Sequence, residues 1–412
     1  MSQADFIPPK NNPLILNLVK AIIPIALKLE KLEVRPSDRC LQVIKYMKGR
    51  PVILAVNHID RCDPSVVAAL SLKCQEDFYY LAARELFDEN LGLRGWLMQN
   101  SGVYSVIRGK PEDKQSQAET ISLIAQGKQK LVMFPEGDVT GRDDKILPLK
   151  KDGIRNMLEA QKLSLEYEPK RAVQVIPLAV YYEVLDNTIE PLRHCLSRQE
   201  NFLGLHSWSG PIEARIQRIL HCMIKQLEEH YGKPTQAKST DDRLSELSHF
   251  ITELAATATG STNYDQSNIN TFLYSVRGHL QRLIDDKGTG QGFDKQLRSE
   301  NNQRFQAAIF DLERVQNLLI LLSTLRQLPP TKDVLWRLVD RMEQLILGRA
   351  TAKGNRIAWI ESGQPISLAA AVADYINDGD SAVDATEKLL RESMQGALEQ
   401  IKSESLALLK VA

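Results

Sequence analysis

The stretch from Pro51 to Ser65 reads P-V-I-L-A-V-N-H-I-D-R-C-D-P-S and decides the fold. Its apolar run, Val52 to Val56, is short and rich in β-branched residues, which is typical of a buried strand. Asp63 followed by Pro64 is typical of a helix start, with Asp63 as the N-cap residue and Pro64 at the first helical position. The stretch therefore predicts a strand, a tight loop and a helix, and open α/β sheets bind ligands in such loops, outside the carboxyl ends of the strands.

His58 and Asp63 flank this predicted loop. A carboxylate in that position can accept the Nδ1 proton of the histidine and leave Nε2 free to accept a proton from a substrate. The alternative is that Asp63 only caps its helix and His58 is an incidental loop residue. These residues taken alone leave both interpretations open.

The rest of the chain alternates in the same way up to about residue 180. Apolar runs at 52–56, 78–82, 103–107, 131–134 and 173–180 are separated by helix-like stretches at 64–73, 85–98, 111–125 and 152–165. This order predicts an α/β fold with a mainly parallel sheet flanked by helices. Between Gly210 and Gly348 apolar residues recur only at helical spacing, which predicts an all-α module.

Five segments between residues 50 and 180 resemble, in order, the motifs of the glycerolipid (lysophosphatidic acid) acyltransferase family. The first is Asn57-His58 followed by Asp63. The others are Leu81–Leu86 with Arg84, Gly102–Arg108, Phe134–Gly137 and Val175–Leu178. Each segment alone is a weak signal, but five in the family's order are specific.

The resemblance implies transfer of a fatty acyl group from a thioester, either acyl-CoA or acyl carrier protein, to a hydroxyl group, without a cofactor. His58 would be the general base and Asp63 would orient it, while Arg108 would bind the acceptor's phosphate in bidentate fashion. No G-x-S-x-G elbow occurs in the chain, which argues against a serine nucleophile. The residues expected to bind substrate are Asn57, Arg84, Arg108, Glu136, Gly137, Thr140 and Arg142.

One segment departs from the family pattern. The family usually continues Glu-Gly-Thr-Arg, whereas residues 136–142 read E-G-D-V-T-G-R, so the arginine is displaced and Asp138 adds a negative charge. Thr140-Gly141-Arg142, with Pro148, Lys150, Lys151 and Gly153 after it, is similar to the glycerol-3-phosphate acyltransferase branch. The preferred acceptor is thus lysophosphatidic acid, with glycerol 3-phosphate as an alternative. A catalytically retired lipid-binding or scaffold protein is the alternative from a different class.

The N-terminal segment from Pro13 to Lys31 predicts an amphipathic helix. Its polar residues form one narrow stripe on an otherwise apolar surface. Two interpretations stay open: the apolar face lies on a membrane surface, as in a peripheral protein, or it packs on the protein's own sheet.

A late segment, Gly363-Gln364-Pro365-Ile366, resembles the element that closes the acyltransferase domain in this family, where Gly-Glu-Pro-Ile or Gly-Lys-Pro-Ile is usual. Residues Asn355 to Glu361 before it are predicted to form a strand, and together the two segments suggest a discontinuous domain. The predicted parts are an N-terminal helix (1–31), the first part of the acyltransferase domain (32–205), a helical insertion (206–350) and the closing strand with C-terminal helices (351–412). The alternative is a separate C-terminal helical domain.

Composition limits the remaining classes of function. The 412 residues include 52 basic and 52 acidic side chains, so no net charge attracts the protein to nucleic acid. Five scattered cysteines favour a reduced, cytoplasmic setting, and no metal-site spacing occurs. Cys62 lies in the key loop, but only its position suggests a nucleophile.

Overall fold

The computed structural model describes residues 6–88, 92–107, 113–234, 239–258, 269–285, 292–327 and 331–409. The chain divides into two compact units. We call the first the sheet unit; it comprises Phe6–Val106, Lys114–Asn187 and the chain from Gly354 onward. The second, the helical unit, contains the described residues of Thr188–Lys353 together with Ile107 and Asp113.

The sheet unit is built on one sheet. Within the described residues its strands are β1 (Leu32–Pro36), β2 (Val52–Val56), β3 (Phe78–Ala83), β4 (Val103–Val106), β5 (Lys130–Met133), β6 (Gln174–Val184), β7 (Arg356–Ser362) and β8 (Ile366–Ser367). Their order is β1-β7-β6-β2-β5-β3-β4, and β8 also pairs with β6. Strands β2 to β6 pair in parallel, and β7 runs antiparallel to β6. The predicted α/β fold with a mainly parallel sheet is confirmed.

Helices cover both faces of this sheet. They are α1 (Pro13–Leu29), α2 (Asp38–Tyr46), α3 (Asp63–Cys74), α4 (Leu93–Asn100), α5 (Lys114–Gln126), α6 (Lys151–Tyr167), α13 (Ala371–Asn377) and α14 (Gly379–Leu409). Every residue of β2 is buried, as its uninterrupted apolar sequence requires. Alternate residues point to opposite faces: Ile53 packs in a cluster with α5, α6 and α14, and Leu54 in another with α1, α2 and α3.

Strand β7 connects the late part of the chain to the early part within the sheet unit. It lies between β1 and β6, although the chain reaches it only after passing through the helical unit. Beside it, Leu185 N donates to Asn355 O over 3.1 Å, and Asn355 N lies 3.4 Å from Asn187 Oδ1. The chain therefore leaves and re-enters the sheet unit at nearly the same place.

The helical unit contains α7 (Ile189–Phe202), α8 (Ile212–His230), α9 (Thr240–Thr257), α10 (Ile269–Asp285), α11 (Phe293–Leu325) and α12 (Lys332–Leu347). It begins at Thr188, earlier than residue 206, where the sequence placed the boundary. The reason is that α7 is tied to α8: the buried Glu200 of α7 accepts from Arg215 over 2.7 Å. Helix α7 therefore belongs to the helical unit.

The stretch predicted as one helix from Glu85 to Met98 is divided. A short 3₁₀ turn, Arg84–Phe87, is followed by α4, which begins after Gly92. Gly92 has φ +82°, a left-handed conformation that favours glycine and that a continuous helix cannot contain. The single-helix prediction was wrong for this reason.

Helix α1 has two different sides. Leu27 is buried and Ile23 packs against the sheet unit's core, so part of the apolar surface is internal. The large apolar residues exposed on the other side are Leu14, Leu18, Ile22, Ile25 and Leu29. None of the described helices combines the length and the apolar character needed to cross a bilayer.

Candidate active site

The loop after β2 lies at the carboxyl edge of the sheet, where the sequence predicted the site. Asn57 fixes its start: the side-chain Nδ2 donates to Val180 O over 3.1 Å, and Oδ1 accepts from Val180 N over 2.7 Å. With 1% of its surface exposed, Asn57 has little area left for a substrate. Its observed contacts hold the loop against β6.

His58 and Asp63 are brought together by this loop. His58 Nδ1 lies 2.8 Å from Asp63 Oδ2, and Asp63 is completely buried whereas the His58 side chain is 14% exposed. A proton on Nδ1 would bond to the carboxylate and leave Nε2 as the acceptor. The geometry suits a general base held in one tautomer.

Asp63 does not act as a helix cap, contrary to the prediction. The N-cap position of α3 is Cys62, without a side-chain cap bond. The oxygens of Asp63 are used elsewhere: Oδ2 also accepts from Asp60 N over 2.9 Å, and Oδ1 accepts from Tyr182 OH over 2.5 Å. Burial raises the pKa of Asp63, while the hydrogen bonds from His58 and Tyr182 oppose that rise.

The backbone and the ring of His58 are fixed independently of Asp63. His58 N donates to Glu136 Oε2 over 2.8 Å, and His58 O accepts from Thr140 N over 2.7 Å and from its hydroxyl over 3.0 Å. The imidazole stacks on Phe134, with ring centroids 4.4 Å apart and planes at 29°. Three neighbouring residues therefore restrict the histidine to one orientation.

Glu136 connects two loops at this edge. Its second oxygen, Oε1, accepts from Leu147 N over 2.8 Å. Burial raises the pKa of Glu136 to about 7, although the hydrogen bonds from His58 N and Leu147 N work against the rise. Its carboxyl group therefore changes charge near neutral pH, directly beside the His58 backbone.

The candidate cations of the site are largely paired. Arg84 Nη1 donates to Asp88 over 2.9 Å, and Arg142 Nε donates to Asp144 over 2.7 Å. Arg108 lies outside the described residues, so its role remains a prediction from the sequence.

A further cation was missing from the predicted site residues. Gly137 has φ +82°, and the side chain of Lys150 packs so closely that a Cβ at Gly137 would lie 2.9 Å from its Cε. The contact brings a lysine alongside the Glu136-Gly137 turn. The signal available in the sequence was the similarity of the 140–153 stretch to the glycerol-3-phosphate branch.

The state of the Cys62 thiol bears on its possible role as a nucleophile. Cys62 is buried, and burial raises the pKa of its thiol far above the ordinary value, which disfavours the nucleophilic thiolate. Within the part of the chain that the structure describes, no group of three His, Cys, Asp or Glu residues could hold a metal ion.

The sequence also missed three residues behind the His58–Asp63 pair: Asp60, Tyr182 and Arg356. Asp60 lies inside the quoted loop, but Tyr182 and Arg356 come from β6 and β7. Only the order of strands in the sheet brings them to the loop, and no local pattern marks them.

Comparison with known families agrees with the fold. A family model described as Acyltransferase matches residues 28–181. This range begins just before β1 and ends within β6. These residues are similar to the acyltransferase family, which includes the lysophosphatidic acid acyltransferases. Acyl transfer is thus the general activity that the domain supports. The comparison with curated proteins gave no match.

Proposed function

We propose that the protein transfers a fatty acyl group from an acyl thioester to the hydroxyl of a glycerophosphate-type acceptor, with lysophosphatidic acid preferred. The observation that carries the proposal is the contact of 2.8 Å between His58 Nδ1 and the buried Asp63 carboxylate. It supports His58 as general base, because the histidine is the partly exposed member of the pair and Asp63 the buried one.

The reaction needs only one proton carrier. His58 Nε2 takes the acceptor's hydroxyl proton as the oxygen attacks the thioester carbonyl, and Asp63 stabilises the imidazolium that forms. When the tetrahedral intermediate collapses, the carbon–sulfur bond breaks and the imidazolium returns the proton to the departing thiolate. A thioester is already activated, so no covalent enzyme intermediate is required.

Recognition of the acceptor's phosphate requires cationic side chains near the site. The cationic candidates are Arg84, Arg108, Arg142 and Lys150, and two of them already have carboxylate partners. An incoming phosphate would have to share or replace Asp88 or Asp144. The unusual Glu136-Gly137-Asp138 sequence keeps glycerol 3-phosphate as the second candidate acceptor.

The proposal is tested by following thioester consumption over a panel of donors and acceptors. Acyl-CoA and acyl carrier protein thioesters are each offered with lysophosphatidic acid, glycerol 3-phosphate and an acceptor without phosphate. We expect acceptor-dependent release of thiol, fastest with lysophosphatidic acid. No release with any pair would instead support the retired lipid-binding or scaffold protein.

We also propose that the exposed side of α1 lies on the membrane surface, where the preferred acceptor, a lysophospholipid, would be found. In water this stripe is an uncovered apolar patch, and exposed Lys28 and Lys31 near the end of the helix suit anionic headgroups. The buried side, with Leu27, stays in the protein core. One side of the helix therefore packs on the protein's own sheet, and we propose the membrane interpretation for the other side.

Two doubly substituted variants test this membrane surface. Leu18→Gln with Ile25→Gln changes side chains that are 49% and 60% exposed, so thermal stability should hold. Sedimentation with vesicles of phosphatidylglycerol and phosphatidylethanolamine should show binding weakened roughly 10- to 100-fold, because each residue no longer buries apolar area in the lipid.

The matched control is Ile376→Gln with Leu389→Gln, side chains that are 67% and 52% exposed. They belong to α13 and α14, which cover the other face of the sheet. Equal loss of vesicle binding in both variants would contradict a membrane surface on α1.

A further inference from the structure

Asp60 places a second buried carboxylate inside the His58 loop. Only 5% of its surface is exposed. Oδ1 accepts from Cys62 N over 2.9 Å, while the backbone N of Asp60 donates to Asp63 Oδ2 over 2.9 Å. Asp60 thus controls the backbone of the loop and, through its own N–H, the oxygen that contacts His58.

Arg356 supplies the counter-charge from a distant part of the chain. Its Nη1 donates to Asp60 Oδ2 over 2.9 Å, and 1% of the arginine is exposed. Arg356 is the first residue of β7, and it pairs with Val184 at the end of β6 because the two strands are antiparallel. An antiparallel strand brings its first residue to the carboxyl edge of the parallel strands, which is where the His58 loop lies.

The same arginine contacts the other support of Asp63. Its guanidinium carbon lies 5.1 Å from the centre of the Tyr182 ring, whose hydroxyl donates to Asp63 Oδ1. Arg356 therefore contacts both routes to Asp63, one through Asp60 and one through Tyr182.

The positive charge of Arg356 favours the ionised form of the Asp60 carboxyl group. Burial by itself would raise the pKa of Asp60, but the arginine, together with the hydrogen bond from Cys62 N, holds that pKa well below its usual range. Two buried carboxylates, Asp60 and Asp63, would otherwise repel each other within one tight loop. Because Arg356 offsets the negative charge of Asp60, the Asp63 carboxylate can interact with His58 without that repulsion.

A contribution to folding stability does not by itself explain the buried ion pair between Asp60 and Arg356. A buried ion pair loses hydration on both sides, and apolar residues of similar volume often serve stability as well or better. What the guanidinium offers here is geometry, since a planar fork bonded to Asp60 and packed on Tyr182 restricts both at once.

We propose that Arg356 is a positioning residue for acyl transfer, which holds the His58–Asp63 loop in its reactive geometry through Asp60 and Tyr182. This inference rests on the proposed function. It also assigns a task to the part of the chain that follows the helical unit and lies beyond the 28–181 family match.

The test compares Arg356→Gln, Arg356→Lys and Asp60→Asn in the full chain. We expect Arg356→Gln to lower kcat about 100-fold, the usual cost of misplacing a catalytic group by about 1 Å. KM for thioester and acceptor should change little, because Arg356 lies behind the site. Arg356→Lys should recover part of kcat by restoring the charge without the fork. Asp60→Asn should resemble Arg356→Gln, and combining the two should cost less than the product of the single losses.

The matched control is Lys130→Gln. Lys130 is buried and forms an ion pair with the partly buried Glu76, but at the amino end of β5 and so at the opposite edge of the sheet from the site. Its loss should lower the melting temperature while leaving kcat unchanged. If Arg356→Gln lowers the melting temperature in the same way and keeps kcat, Arg356 is only structural and the inference is overturned.

A second measurement separates failure of this inference from failure of the proposed function. Backbone hydrogen exchange at Asp60 and Cys62 reports the loop without any substrate. We expect it to accelerate at least about tenfold in Arg356→Gln, through local opening, and to stay unchanged in Lys130→Gln. Unchanged exchange in Arg356→Gln would overturn the positioning role even if no acyl transfer were detected in any variant. Should Arg356→Gln fail to fold, Asp60→Asn breaks the same contact from the loop side and is measured in its place.

Discussion

His58→Ala should lower kcat/KM for acyl transfer by about 10²- to 10⁴-fold, the range that a positioned general base contributes. The substitution removes the only part of residue 58 that can move a proton. It leaves the backbone bonds to Glu136 and Thr140 intact, because these use His58 N and O. The melting temperature should therefore fall little, and thioester consumption beside a thermal unfolding curve checks both expectations.

Asp63→Asn should be nearly as damaging to the rate and should also destabilise the fold. The Asp63 carboxylate accepts from three donors: His58 Nδ1, Asp60 N and Tyr182 OH. An asparagine has one oxygen and one NH₂ group. If the NH₂ group takes the place of Oδ2, it faces the Asp60 N–H donor in a fully buried position. If the oxygen keeps that place, the Tyr182 hydroxyl must accept from the NH₂ group and its own proton loses its acceptor. Leaving a buried group unsatisfied costs about 1–3 kcal/mol of unfolding free energy.

This outcome differs from the one that the sequence alone suggests. Had Asp63 been an N-cap, asparagine would have replaced it with little loss of stability. Tyr182→Phe is the control, since it removes one donor and keeps His58 Nδ1 bonded. It should cost much less activity than Asp63→Asn. Near-wild-type turnover in Asp63→Asn would contradict the histidine–aspartate pair altogether.

The sequence predicted those parts of the fold and the site whose causes are local. The strand β2 follows from a run of five apolar residues that are all buried, and its predicted bounds agree with the structure. His58 and Asp63 could be paired because one short loop connects them. Arg84 with Asp88 and Arg142 with Asp144 are also close in sequence, and reading those acidic neighbours would have predicted paired arginines.

The parts that the sequence could not predict depend on the order of strands in the sheet. Tyr182 reaches Asp63 because β6 lies beside β2, and Arg356 reaches Asp60 because β7 reverses direction beside β6. Neither neighbour can be deduced from periodicity along the chain. The role of Asp63 changed for the same reason: the donors that compete for its oxygens come from outside its own helix.

The order of strands also determines how the chain can be cut. A fragment that ends at residue 205 lacks β7, so β6 loses its antiparallel neighbour and β1 loses its only strand partner among the described residues. It also lacks α14, whose buried side chains include Leu390, Met394 and Leu398 in the core cluster on one face of the sheet. We expect this fragment to be insoluble and inactive, because a bare strand edge and an uncovered apolar face both favour aggregation.

Removing only the helical unit should have the opposite result. The sheet unit is held together at the excision point by Leu185 and Asn187, which bond to Asn355 over 3.1 and 3.4 Å. A Gly/Ser linker of roughly two to five residues, the usual length of a tight connection, can therefore replace 188–353 without strain. We expect this protein to be soluble and to unfold in one cooperative transition. If it also retains acyl transfer, the helical unit is dispensable for the chemistry; if it folds but loses transfer, that unit contributes to substrate binding. A soluble and fully active 1–205 fragment would contradict the discontinuous domain, because β7, Arg356 and α14 would then be unnecessary for both the fold and the site.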